Sequence, residues 1–193
     1  MISDWKTEIA VAWKVLQTVQ DADWEGLWAY HLPRVAASEQ ELHDTEEILG
    51  FGLDPMFRAF LTYANGWPDF HHSADLFGTD ELRGGQLMGR AEEMLSVVDS
   101  AVWNGNRVSH SDVLPLAVSK HSIDVFAIVR PSCDSAGQVI WLAGEVVERF
   151  ANFDEFFLTM VDYNRLEARR LAERGCRRNG AEQVPKRKGD VCI

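Results

Sequence analysis

Residues 113–150, VLPLAVSKHSIDVFAIVRPSCDSAGQVIWLAGEVVERF, change the pattern of the whole chain. VLPLAV, IDVFAIV, QVIWLA and EVVERF are short runs rich in β-branched and aromatic residues, and turn chemistry at residues 131–137 and at Gly144 separates the later ones. Successive short strands of this kind predict an antiparallel sheet.

On both sides of this block the apolar period is helical. Ser3 is placed to cap a first helix whose stripe runs Trp5, Ile9, Trp13, Leu16 and Val19, and a Trp-rich segment, DWEGLWAYHLP, follows and closes at Pro33. SEQELHDTEEILG predicts a second helix, with Ser38 and Glu41 in capping-box spacing and Gly50 positioned to end it. In DPMFRAFLTYANG, Asp54 caps a third helix, Pro55 takes its first turn, and Phe57, Phe60, Leu61 and Ala64 form the inward stripe. Asn65-Gly66 then stops it. Met88, Ala91, Leu95, Val98 and Val102 predict one further helix ending at Asn104-Gly105.

After the strands, Asn152 and Glu155 repeat the capping-box spacing and open a long helix with Phe153, Phe156, Phe157 and Met160 facing inward. Helices before and after a run of strands give an α+β domain: an antiparallel sheet flanked by N-terminal helices and a long C-terminal helix.

Composition fits one domain, since 193 residues with 46% hydrophobic content fill a core of ordinary size. No apolar run is long enough for a bilayer, and the first residues carry acids where a signal peptide needs a basic start, so a cytoplasmic protein away from the membrane is expected. Cys133, Cys176 and Cys192 are scattered and odd in number, which fits neither a disulfide framework nor a zinc site, and Cys192 stands at the wrong place for prenylation.

The net charge of -11 is uneven: from Arg165 on there are 9 basic and 4 acidic residues, which leaves 10 basic and 26 acidic before it. The body is therefore strongly acidic and would repel nucleic acid, so no direct nucleic-acid binding is expected of it, while a basic protein would be drawn to it. Residues 176–193 lack apolar periodicity and carry Gly, Pro and basic clusters, and are expected to be a disordered basic tail.

Several segments in this order, "EEILGFGLDP", "FLTYANGW", "DLFG" with "DEL" behind it, "VLPLA" and "VIWLAGEVVERFANFDEFF", together resemble the SUKH (Smi/Knr-like) superfamily from about Ser38 to Tyr163. The resemblance implies an α+β binding module at 38–175, preceded by a helical extension at 1–37 packed on it and followed by the tail at 176–193. It implies binding rather than catalysis and no cofactor. Many members are bacterial immunity proteins that neutralise a cognate toxin, often a nuclease; others are regulatory modules with a host protein partner. At the matching positions, Gly50, Asn65 and Gly66 end helices, while Leu53, Phe57, Phe60, Leu76, Trp141, Phe150, Phe153 and Phe156 fill the core.

Residues 59–82, AFLTYANGWPDFHHSADLFGTDEL, hold the candidate partner-binding residues Trp67, Asp69, Asp75, Asp80 and Glu81. An aromatic ring in an acidic loop could anchor a basic enzyme while the carboxylates stand in for phosphate charge; alternatively the ring folds inward and the acids are solvated. His71 and His72 are expected as exposed loop residues. Adjacent histidines diverge, unlike the i, i+4 pair that grips zinc, so a metal-dependent or hydrolytic site built on His71, His72 and Asp75, with Asp69 in reach, is the weakest reading.

The letters VSHSD, 109–112 with Val108, contain a hydrolase set but no nucleophile elbow accompanies them, and a polar turn is expected. Gly84, Gly85 and Gly89 match no phosphate-loop spacing. Cys133 sits in a turn with nothing near it in sequence to activate the thiol. Trp24 and Trp28 could mark an interaction surface of their own, which would suit the regulatory reading.

Overall fold

The computed structural model describes residues 2–105 and 108–182. The protein is α+β: a six-stranded antiparallel sheet, helices before it, and one long helix after it. The helices are α1 (Trp5–Ala22), α2 (Glu39–Leu49), α3 (Pro55–Leu61), α4 (Thr79–Leu82), α5 (Gln86–Ser96), α6 (Ser100–Gly105) and α7 (Phe153–Glu182). The strands are β1 (Trp67–His71), β2 (Ala74–Leu76), β3 (Val113–Ser119), β4 (Val125–Val129), β5 (Val139–Leu142) and β6 (Val146–Phe150).

The strands lie in chain order, each antiparallel to the next, with Phe126 opposite Trp141 and Trp141 opposite Glu148. Every residue of β3 and β4 is buried, so these central strands are covered on both faces and read as continuous apolar runs. α7 lies over the face that carries Phe126, whose ring sits 5.4 Å from Phe156, and α5 packs against β3 and β4.

Local capping explains why α2 and α3 form where they do. Ser38 and Glu41 satisfy each other's backbone N–H groups, Gly50 takes φ 74° at the other end, and the Asp54 carboxylate accepts the N–H groups of Met56 and Phe57. The first helix is capped one residue later than expected, by Asp4 rather than Ser3, because Asp4 accepts from both the backbone and the hydroxyl of Thr7. α1 runs alongside α7 in the same direction: Trp5 meets Phe153 and Phe157 near the start of α7, and Val19 packs with Ala168 and Leu171 just past its middle.

Further expectations are revised. The third helix ends at Leu61 with Thr62 as its cap, before Asn65-Gly66, because the turn formed by Tyr63 and Ala64 on Phe60 closes it first. The single helix over Met88–Val102 is two, α5 and α6, because Asp99 offers its carboxylate to the N–H of Ala101 and starts a new helix after the break at Val97. α7 continues through Glu182, so the segment from Cys176 begins as helix; residues 183–193, with Cys192 and the rest of the expected disordered tail, lie outside the described residues. The stretch after Asn65-Gly66 is a β-hairpin rather than an open loop, with β1 and β2 joined by a two-residue turn at His72-Ser73.

Candidate functional site

That hairpin departs from ideal geometry twice. Asp69 has φ 51° at an irregularity of the β1–β2 ladder, and His72 has φ 52° in the turn. Asp and His tolerate this left-handed region better than most side chains, which is why the pleat can be broken here without glycine.

Trp67 is completely buried, packs against Phe70 at 5.3 Å and donates its indole N–H to the carbonyl of His31 at 2.8 Å. The ring has folded inward, so it is a core residue in this structure. Asp69 and Asp75 are buried with it: the Asp75 carboxylate accepts the N–H of Asp69 at 2.7 Å, and the Lys120 ammonium bridges both carboxylates at 2.5 and 3.1 Å. The His31 ring lies 2.8 Å from the second oxygen of Asp69. Burial works against the charge of Lys120, but the hydrogen bonds and attraction of Asp69 and Asp75 outweigh it and hold its pKa above the ordinary lysine value.

The other two expected residues are nearer the surface. Glu81 accepts from Arg34 at 2.7 Å and from the N–H of Gly78 at 2.9 Å. The Asp80 side chain is 77% exposed and meets Arg83 at 2.6 Å. The structure thus brings the five residues into one region yet answers most of their charge internally, through Lys120, Arg34 and Arg83. Arg83 stands three residues from Asp80, whereas Lys120 and Arg34 lie 45 and 47 residues from the acids they pair with, Asp75 and Glu81.

The histidines are not exposed. His71 is buried, with Nδ1 2.8 Å from the side-chain oxygen of Asn164, whose amide in turn donates to the carbonyl of Phe70 at 3.0 Å. Because the Asn164 oxygen accepts, His71 carries its proton on Nδ1. Nε2 is left as an acceptor with no partner among the described residues. His72 stacks on His71 at 4.1 Å and on Trp28 at 4.4 Å, and its Nε2 is buried without a hydrogen-bond partner among the described residues.

These rings form the floor of a cleft of about 560 Å³ at one end of the sheet. Trp141 of β5 and Tyr163 of α7 continue the floor, with ring centres 6.3 Å and 6.4 Å from His71. Val147, which falls at the register irregularity of β6, and Leu166 of α7 form an apolar rim, and Glu148, Glu167 and Arg170 add charge. The Tyr163 hydroxyl donates to Glu148 at 2.5 Å, which with burial pushes the phenol up to about 12. A smaller hollow, lined by Ser119, Ser122 and Asp124, opens from the same histidines toward the β3–β4 turn, where Asp124 accepts the Trp141 indole N–H at 2.7 Å.

Burial, and then the neighbouring His72, lower the His71 pKa from 6.5 to about 4 despite the opposing pull of Asn164, Asp124 and Glu167. The His72 pKa is lowered too, by burial first. The unfolded chain therefore binds a proton on His71 at a pH where the folded one does not. The stability gained by keeping it neutral is complete above pH ~6.5 and is lost as pH falls toward 4, by about 3 kcal/mol over that window. Urea unfolding at pH 7 and pH 4.5 checks this: in His71→Phe the drop between the two should be smaller by about 2–3 kcal/mol, and an unchanged drop would assign the acid sensitivity elsewhere.

The remaining candidates resolve into structure. Ser109 and Asp112 cap a short 3-10 turn by bonding each other at 2.7 Å, and His110 pairs with Glu92 at 3.2 Å instead of with either serine. Gly84 and Gly85, with φ 119° and 108°, form the bend into α5. Cys133 is half-buried in its turn. Among the described residues, no group of three or more His, Cys, Asp and Glu side chains is placed to hold a metal ion. Trp24 is about half exposed, and Trp28 is committed to His72.

The sequence pattern of the SMI1 / KNR4 family (SUKH-1) matches residues 36–159, which covers α2 through the first turns of α7. None of the curated proteins compared with the chain matches it.

Proposed function

Because the chain belongs to the SMI1 / KNR4 family (SUKH-1), we propose that it is a non-catalytic immunity protein that neutralises a cognate bacterial toxin by binding it in a tight complex. The family match carries this reading. The excess of 26 acidic over 10 basic residues before Arg165 supports it from the side of charge, since such a body attracts a basic partner, as a nuclease would be. In this reading 1–37 is an extension, 38–175 the binding module and 176–193 a basic tail, with α7 crossing the last boundary. A cytoplasmic site of action goes with the proposal; no helix among the described residues is long and apolar enough to cross a membrane.

On the hairpin side, the partner would meet Asp80 and the edge of Glu81, with Trp67, Asp69 and Asp75 holding that surface in place from inside. Asp80→Lys is expected to change stability by less than about 0.5 kcal/mol, as for an exposed site away from the core. It should slow association with the captured toxin several-fold at low salt and have less effect at high salt. The complex would first be sought by using the full chain as bait in a lysate of competition-induced source cells. One near-stoichiometric polypeptide with a toxin-like domain supports immunity; a housekeeping protein, or nothing where a control pair is captured, counts against it.

One observation favours the regulatory alternative, in which a host protein is bound through the N-terminal segment: Trp24 and Leu27 are 48% and 46% exposed close together in the chain. Leu27→Ser would then weaken capture of that host protein, whereas an immunity complex built on the hairpin would survive it.

A further inference from the structure

We propose that the cleft between the β1–β2 turn, β5, β6 and α7 receives an arginine side chain of the protein partner. The assignment takes a protein partner from the reading above and names the group that enters. The polar atoms offered there are mostly acceptors. His71 is more than nine-tenths buried with Nδ1 already bonded to Asn164, so Nε2 remains an acceptor. Glu148 and Glu167 add carboxylates, and Asp124 lies in the adjoining hollow.

Against these, among the described residues that line the cleft, stands one cation, Arg170, whose side chain is 68% exposed and 3.5 Å from Glu167, long enough to yield its place. With both histidines neutral, the three carboxylates and Arg170 give the cleft a charge of -2 (three negative, one positive). Trp141 and Tyr163 line it with aromatic rings. A group that only donates, carries positive charge and is flat enough to lie on rings answers all of these features, and among side chains that is the guanidinium. Val147 and Leu166 at the rim, 49% and 43% exposed, suit the aliphatic stem of the same side chain. Lysine would meet the charge but not the flat stacking surface.

The test uses the full ¹⁵N-labelled chain and two probes, acetyl-Gly-Arg-Gly-amide and the same peptide with citrulline, which keeps the shape and loses the charge. The Trp141 indole N–H resonance is followed, since it bonds Asp124 at the edge of the cleft. The arginine peptide should shift it with a saturating, salt-sensitive response, and the citrulline peptide should bind roughly tenfold or more weakly. Glu167→Gln should weaken the arginine peptide by about tenfold. Because Glu167 is buried and the variant could fold poorly, Leu166→Arg serves as the second: it sets a competing cation on the exposed rim and should abolish the response.

Equal responses to the two peptides, no response, or an unchanged response in Leu166→Arg would overturn the assignment. A captured toxin whose complex leaves the Trp141 signal unmoved would likewise remove the cleft from the interface while leaving the immunity reading intact. Peptide binding at Trp141 with no toxin captured would do the reverse.

Discussion

Trp5→Ala is expected to destabilise the protein by about 3–5 kcal/mol, the usual cost of deleting a large aromatic from a packed core. Trp5 precedes the residues that match the family, yet it is 4% exposed and its ring sits 5.4 Å from Phe60, 5.1 Å from Phe157 and 5.9 Å from Phe153. It closes the gap between α3 and the start of α7. Urea unfolding followed by far-UV circular dichroism measures the loss, and a change below about 1 kcal/mol would mean that α1 rests on the domain without completing its core. The same packing governs how the N-terminal segment can be tested for binding. Removing residues before Pro33 takes out Trp5, so a loss of partner capture in that truncation would report unfolding, and point changes such as Leu27→Ser are the cleaner probe.

Gly78→Ala is expected to cost about 4 kcal/mol, in the range reserved for a specific steric or buried-polar failure. A Cβ at Gly78 would lie 2.2 Å from the carbonyl oxygen of Asn65 and 2.7 Å from its side-chain oxygen. That oxygen accepts the N–H of Thr79 at 2.7 Å while the Asn65 amide donates to the Thr79 hydroxyl at 2.8 Å, so neither atom can retreat without breaking the join between the end of α3 and the start of α4. Gly66, at φ 85°, faces the same contact from the other side, where a Cβ would come within 2.6 Å of the Gly78 nitrogen. Gly89→Ala is the counterpart: it lies inside α5 with open space around it, and alanine there should raise stability by up to about 1 kcal/mol. Thermal melts of the two variants should move in opposite directions; a Gly78→Ala protein that melts with the parent would show that the join can open.

Asn65-Gly66 reads in sequence as the stop of the third helix, but α3 ends earlier, at Leu61 with Thr62 as its cap, and Asn65-Gly66 forms the bend that leads into β1. That Asn65 clamps Thr79 depends on a residue 14 positions on, brought back by the β1–β2 hairpin. The hairpin itself is hard to see in sequence. Pro68 and the positive φ of Asp69 interrupt the alternation, and the turn at His72-Ser73 lacks the glycine that usually announces one.

The candidate acids show the same limit. Their local density suggested an exposed charged surface, whereas Lys120, 51 residues from Asp69 along the chain, bridges the inner pair, and the His31 ring, 38 residues before Asp69, contacts its second oxygen. The cleft was invisible for a related reason. Tyr163, Leu166, Glu167 and Arg170 share one helical face and could have been grouped by spacing alone. That they look onto Trp141, Glu148 and two histidines follows from the register of β5 on β6 and from α7 lying across the sheet.

What the sequence by itself determined is everything set by short-range chemistry: the caps of α2 and α3, the four strands of residues 113–150, the start of α7, and the family to which those segments belong. Caps, turns and apolar periods act over a few residues, so they can be read a few residues at a time. Only the tertiary structure decided which charges remain for a partner and which rings line a cleft. Burial and electrostatic pairing depend on groups that folding brings together from distant parts of the chain, and a carboxylate beside a buried lysine is a different chemical object from the same carboxylate in water.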